Sequence, residues 1–192
     1  HGLTYGKANA HVPLAVALLA LVGCGGSGSS GSAASAAKKD YTQILHDARS
    51  AEDNEYYMIF TKGADGKYTA QYGYSKDYEA DQLHDEIANM MMPMLNLEDG
   101  MAEDFAASLS TMMVQSYGVA IVKPAEGKTQ EVVDAMDAYI QNQQQTMEHY
   151  LEDQYQIAAS AKVATVPTGE VVMVCCENSD AVMNAIKTAL AA

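Results

Sequence analysis

The chain has 192 residues, with 25 Asp and Glu against 11 Lys and Arg, for a formal net charge of −14. That balance speaks against nucleic acid and against an electrostatic grip on anionic lipid headgroups, because both need clustered Lys and Arg, and Arg49 is the only arginine. The length suits one domain with a sizeable core, and the acidic surface serves solubility.

Residues 12–22 form an apolar run that ends in Gly23 and Cys24. The run is shorter than the roughly 20 residues a membrane-spanning helix needs, and it has the length of a signal-peptide core. Leu21-Val22-Gly23-Cys24 reads as a lipobox: the small Gly23 suits a cleavage pocket and Cys24 supplies the thiol that takes the lipid. Residues 1–23 are therefore expected to be a lipoprotein signal peptide, and residues 24–39 the lipid-anchor cysteine and its tether. Residues 25–37 contain only Gly, Ser and Ala, a composition that buries almost nothing and spans roughly 20 Å as a flexible chain. A buried core helix, the alternative for residues 12–22, would not open into such a tail. Residues 1–11 lack an initiator Met and carry Lys7 as their one firm positive charge, so a shortened start is expected. Lipidation at Cys24 would place the domain on the extracytoplasmic face of the cell membrane, each buried methylene contributing about 0.8 kcal/mol.

Residues 40–192 are expected to form the globular part. Ile44, Leu45 and Ala48 share one side of a short helix over residues 41–50, with Asp40 as its N-cap. Residues 56–61 and 68–74 are rich in strand formers and flank Asp65-Gly66, a hairpin signal. Two helices are expected next, with stripes Leu83, Ile87, Met90, Met91, Met94 and then Met101, Phe105, Leu109, Met112, Met113. Residues 117–123 read as a buried strand. Residues 129–151 carry Val132, Met136, Tyr139, Ile140, Gln143, Met147, Tyr150 and Leu151 on one stripe, with Gln144 expected on the opposite, exposed face. A second hairpin joins residues 162–166 and 170–176 through Pro167-Thr168-Gly169, and Ser179 is expected to cap a last helix with Val182, Met183, Ile186 and Leu190 inward. Mixed strands and helices with two hairpins predict a single α+β domain, a mixed or antiparallel sheet with helices packed mainly on one face.

Through the segments Tyr117-Gly118-Val119-Ala120-Ile121-Val122-Lys123-Pro124-Ala125-Glu126-Gly127-Lys128, Tyr150-Leu151-Glu152-Asp153-Gln154-Tyr155 and Gly169-Glu170-Val171-Val172-Met173-Val174, the chain resembles the bacterial lipoproteins grouped as domain of unknown function 4358. The resemblance covers about residues 41–191 and is strongest after Tyr117. It implies an exported, membrane-tethered α+β domain, with no catalytic or ligand-binding residues to carry over.

Several stretches invite chemical readings. Gly127-Lys128-Thr129 stands between a strand and a helix as the end of a phosphate loop would, but that pattern needs a glycine where Val122 stands. Its plainer role is a turn, with Glu131 at the positive helix end. Cys175 and Cys176 are adjacent in a strand, where neighbours point to opposite faces, so they read as small buried apolar residues; a strained vicinal disulfide is the alternative. Met90, Met91 and Met94 belong to the densest run of the twelve methionines. Thioethers suit Cu(I), which makes these three a metal-site alternative, but their place on the helix stripe favours core packing. His46, His84 and His149 lack metal-ligand spacing, and neither Asp81, Asp85, Glu86 nor Glu98, Asp99, Glu103, Asp104 follows a calcium-loop register.

No catalytic constellation and no cofactor motif emerges. The expected function is a non-enzymatic, extracytoplasmic lipoprotein that binds an envelope protein or an extracellular ligand, while the alternatives are Cu(I) handling and an enzyme with a dispersed site. Twelve Tyr against two Phe and no Trp favour a contact surface, since tyrosine joins a large apolar ring to a polar tip. Tyr56, Tyr68, Tyr72 and Tyr74 could equally be strand residues with wet hydroxyls.

Overall fold

The computed structural model describes residues 39–192. Cys24, the apolar run before it and the Gly/Ser/Ala tether lie outside the described residues. The unit Asp40–Ala192 is built on one antiparallel six-stranded sheet of order β2-β1-β3-β4-β6-β5. In chain order the elements are α1 (Tyr41–Ala48), α2 (Ala51–Tyr56), β1 (Ile59–Lys62), β2 (Tyr68–Gln71), a 3₁₀ turn (Gly73–Asp77) and α3 (Ala80–Glu86). A π turn (Ile87–Met91), α4 (Met92–Leu95), β3 (Ala102–Leu109), β4 (Gly118–Pro124) and α5 (Thr129–Met147) follow, then α6 (Glu152–Ala159), β5 (Lys162–Thr165), β6 (Val171–Cys175) and α7 (Ser179–Ala191).

Local chemistry accounts for most of these boundaries. Asp40 caps α1 by accepting from the Gln43 N–H, and Ser50 caps α2 by accepting from the Asp53 N–H at 3.1 Å. Gly66 adopts φ +83° in the first hairpin turn, which pairs Thr61 with Thr69. The second hairpin pairs β5 with β6 antiparallel, as its turn residues predict. Gly127 takes φ +76° ahead of α5, the turn role expected for it.

The expected α+β class and antiparallel sheet are what the structure has. The helices, however, cover both faces of the sheet. One core joins Phe60, Phe105, Ala107, Ala120, Val122 and Met173 to α3, α4 and α5, and a second joins Ile59, Ala106, Val119, Ile121, Val172 and Val174 to α1 and α7. Alternate residues of the central strands therefore enter different cores. Cys175 and Cys176 follow this rule: both are free and buried, one in each core. Burial pushes both thiols up to about 12, with the neighbouring cysteine adding to the shift at Cys175.

The second expected helix is strand β3 instead. Phe105, Ala106, Ala107, Ser108 and Leu109 are all buried, which a one-sided helix stripe does not produce, and small Ala and Ser fit a strand covered on both faces. Met112 and Met113, assigned to that stripe, are exposed beyond the strand. The stripe before it is also shifted. The Met92 N–H reaches back to the Ile87 carbonyl, an i to i−5 bond, next to Pro93, which has no N–H to continue the ladder. The inserted residue turns Met90 out to solvent and buries Met91 and Met92 together.

Helix α5 buries Val132, Met136, Tyr139, Ile140, Gln143 and Met147 as expected, but it ends at Met147 and leaves Tyr150 and Leu151 exposed. Gln144 is half-buried, not exposed, and donates through Nε2 to the Ala158 carbonyl of α6 at 3.0 Å. Tyr139 explains Gly118: a Cβ there would sit 2.7 Å from the ring, whose hydroxyl donates to the Tyr117 carbonyl. Ser179 is the first residue of α7, not its cap. Asn178 caps the helix at φ 58°, and the Ser179 hydroxyl donates to the Ser160 carbonyl.

Glu170 is buried at the second hairpin and accepts from the hydroxyls of Tyr41, at 2.7 Å, and Thr168. Burial opposes its charge, but those two hydroxyls, its own backbone N–H and Lys123 together hold its carboxyl below the usual range. A depressed folded value stabilises above the unfolded value, and that stability is lost as pH falls through the folded one. Glu170→Gln should therefore lower the urea midpoint at pH 7, with the gap from wild type closing as pH falls below the ordinary carboxylate range. A gap independent of pH would show that the charge plays no part.

Candidate functional site: a tyrosine-lined cleft

Three segments distant in sequence meet at one end of the sheet: α2, the 3₁₀ turn, and the connection from β3 to β4. They enclose a cleft of about 610 Å³ lined by Tyr56, Tyr57, Tyr74 and Tyr78, by Met58, Met91 and Met112, and by Glu52 and Asp53. Its volume lies within the range typical of small-ligand sites. Much of the exposed apolar surface gathers here, with Tyr56 at 51%, Tyr74 at 54% and Met112 at 59% exposure. The rings of Tyr56 and Tyr74 meet edge to face at 6.3 Å.

The approach of the 3₁₀ turn to α2 depends on two residues. Tyr72 has φ 69° and ψ 178°, a conformation almost confined to glycine, and Gly73 follows at φ 53°. A Cβ on Gly73 would lie 2.7 Å from the backbone of Tyr57 and Met58, so only glycine lets the two chains cross this closely. The Tyr72 ring is held by stacking on His46 at 4.4 Å. This crossing sets Tyr74 against Tyr56.

Polar side chains on the cleft floor satisfy one another. The Ser110 hydroxyl donates to Gln115 Oε1 at 2.8 Å and accepts from the Met112 N–H at 3.1 Å, and the Tyr57 hydroxyl also reaches Gln115 Oε1. Burial raises the Asp53 carboxyl above its usual range, against the opposing charge of Arg49.

Behind this floor, Arg49 is buried on the side of a second cleft that shares Glu52, Asp53, Tyr57 and Gln115 with the first. Its Nη1 donates to Ser108 Oγ at 2.8 Å and to the Tyr117 hydroxyl at 3.0 Å, its Nη2 to the Tyr57 carbonyl, and its Nε to Asn54. The Tyr57 ring lies flat on that of Tyr117 at 4.0 Å. One guanidinium thus ties α1, α2, β3 and β4 together beneath the site. Ser116, at the rear, donates its N–H to Gln154 Oε1, and its buried hydroxyl has no partner among the described residues.

The residues singled out from sequence are scattered. Met91 lines the tyrosine cleft, Met90 lies in a separate hollow with Tyr78 and Glu86, and Met94 is packed against the core. His46 lies on α1, His84 accepts from the Tyr68 N–H, and His149 is exposed beside Glu148. Among the described residues no group of three His, Cys, Asp or Glu is arranged to hold a metal ion, and no helix is long and apolar enough to cross a membrane. Of the four tyrosines weighed as strand residues, only Tyr68 lies within a strand. The composition pointed to tyrosine, but the crossing at Tyr72-Gly73 that gathers the rings had no readable signal.

An antiparallel α+β domain that carries an aromatic cleft at one sheet end is the class of protein these features define. Residues 75–176 match the family described as Domain of unknown function (DUF4358), and the chain belongs to that family. The matched segment includes Tyr78, Met91, Met112 and Gln115, whereas Glu52, Asp53, Tyr56, Tyr57 and Tyr74 precede it. No curated protein and no solved structure matches the chain.

Proposed function

We propose that the protein is a lipoprotein tethered through Cys24 to the extracytoplasmic face of a bacterial membrane, and that its domain binds a ligand or an envelope partner without catalysis. The observation that carries the binding reading is the cleft itself: four tyrosines and three methionines line a concavity of small-ligand size. Tyrosine is a favoured contact residue, because it offers a large ring with little rotamer entropy to lose. The Ser110 hydroxyl is engaged with Gln115 and Met112 rather than with a histidine or carboxylate that could activate it.

The tether follows from the apolar run, Gly23-Cys24 and the small-residue stretch after them. It places the cleft within reach of extracellular solutes and envelope components. Radiolabelled palmitate should label the wild-type protein in cells and not the Cys24→Ser variant. Equal labelling of both would overturn the lipoprotein reading and leave the cleft as the feature to explain.

A further inference from the structure

We propose that the tyrosine cleft binds a small organic cation of the quaternary ammonium class, held against the edge-to-face pair of Tyr56 and Tyr74 and near the carboxylates of Glu52 and Asp53. This rests on the reading of the cleft as a binding site and names its ligand chemistry. Two carboxylates line the cleft, and among the described residues that line it there is no lysine, arginine or histidine. Arg49, beneath the floor, spends its donors on Asn54, Ser108, Tyr117 and Tyr57 and offsets part of the Asp53 charge, which leaves Glu52 uncompensated by any cation that lines the cleft. An anionic ligand would therefore meet like charge. A neutral polar ligand would compete with hydrogen bonds that Ser110, Gln115 and Tyr57 already make with one another.

Besides the hydroxyls of Tyr56, Tyr74 and Thr111, the cleft offers ring surface, thioether surface and negative charge, a combination that favours a cation over a neutral polar ligand. Aromatic faces attract cations through the ring quadrupole. A quaternary ammonium spreads its charge over methyl groups and is weakly hydrated, so it enters such a site at less desolvation cost than a primary ammonium. The half-buried Asp53 carboxylate is itself short of water, and an adjacent cation would compensate that charge.

Calorimetric titration of the full-length chain with choline, with its neutral isostere 3,3-dimethylbutan-1-ol and with N-acetyl-lysine amide tests the proposal. Choline should saturate one site and bind about tenfold or more tighter than either comparison compound. Tyr74→Leu and Asp53→Asn should each weaken choline about tenfold, while Tyr150→Leu, outside the cleft, should leave it unchanged. Equal binding of the neutral isostere would overturn the cation class and keep the binding site. Tighter binding of the lysine amide would overturn it in favour of a basic peptide side chain. No binding of any of the three would overturn the ligand class, and the binding reading itself would then stand or fall on whether the cleft tyrosines are protected in cells.

Discussion

Arg49→Leu is expected to destabilise the domain by about 3 to 5 kcal/mol, a substantial share of the roughly 5 to 15 kcal/mol by which a domain is stable. The guanidinium is buried and serves four acceptors on three segments: Asn54 and the Tyr57 carbonyl, Ser108, and Tyr117. Replacing a whole buried polar network by apolar groups is often neutral, but removing one partner strands the others, at roughly 1 to 3 kcal/mol for each buried group left unpaired. Relief of the buried charge offsets part of that cost. Arg49→Lys should recover only a fraction, because an ammonium presents its donors from one point and cannot span acceptors this far apart. Urea unfolding of the two variants checks the order. A Leu variant as stable as wild type would mean that the polar cluster under the cleft is dispensable.

The second large effect is expected from Ile140→Ala, at about 2 to 5 kcal/mol, with Gln141→Ala on the exposed side of the same helix close to zero. Ile140 is buried with Met136 and Tyr139 in the core between α5 and the sheet. Truncation leaves a void that rigid neighbours on a sheet cannot fill. Gln144 is unsuitable as the neutral comparison, because its amide holds α6 to α5. Similar urea midpoints for the Ile140 and Gln141 variants would contradict the packing of α5 against the sheet.

These two residues also show what the sequence could and could not convey. Helix α5 was legible because its apolar residues recur at the helical period and one face of it is solvated. The two hairpins were legible because Asp65-Gly66 and Pro167-Thr168-Gly169 are turn chemistry between strand formers. Strand β3 was not, since Met101, Phe105 and Leu109 happen to fall at a spacing of four and Ala106 and Ala107 are good helix formers in isolation. Burial on both faces, a tertiary property, overrode that local preference. The same cause placed helices on both sides of the sheet, where the order of strands and helices with two hairpins suggested one.

The candidate site was legible in composition and not in place. An excess of tyrosine announces a contact surface, but Tyr56, Tyr74 and Tyr78 come together only because Tyr72 and Gly73 adopt positive φ and let the chain cross Tyr57 and Met58, just after α2, at backbone distance. Tyrosine gives no sequence signal for that conformation. Arg49, the sole arginine, shows in the sequence only that basic patches are absent, whereas its structural role depends on acceptors as remote as Ser108 and Tyr117.

On the proposed reading, the tyrosine cleft is the surface by which this domain meets its ligand or partner. Tyrosine modification read by mass spectrometry, on intact cells that make the protein and on the purified full-length chain, tests it directly. Tyr150, 75% exposed and outside the cleft, serves as the internal standard. The account predicts that Tyr56 and Tyr74, relative to Tyr150, are modified less in cells than in the purified protein. The same ratio in both settings would contradict it.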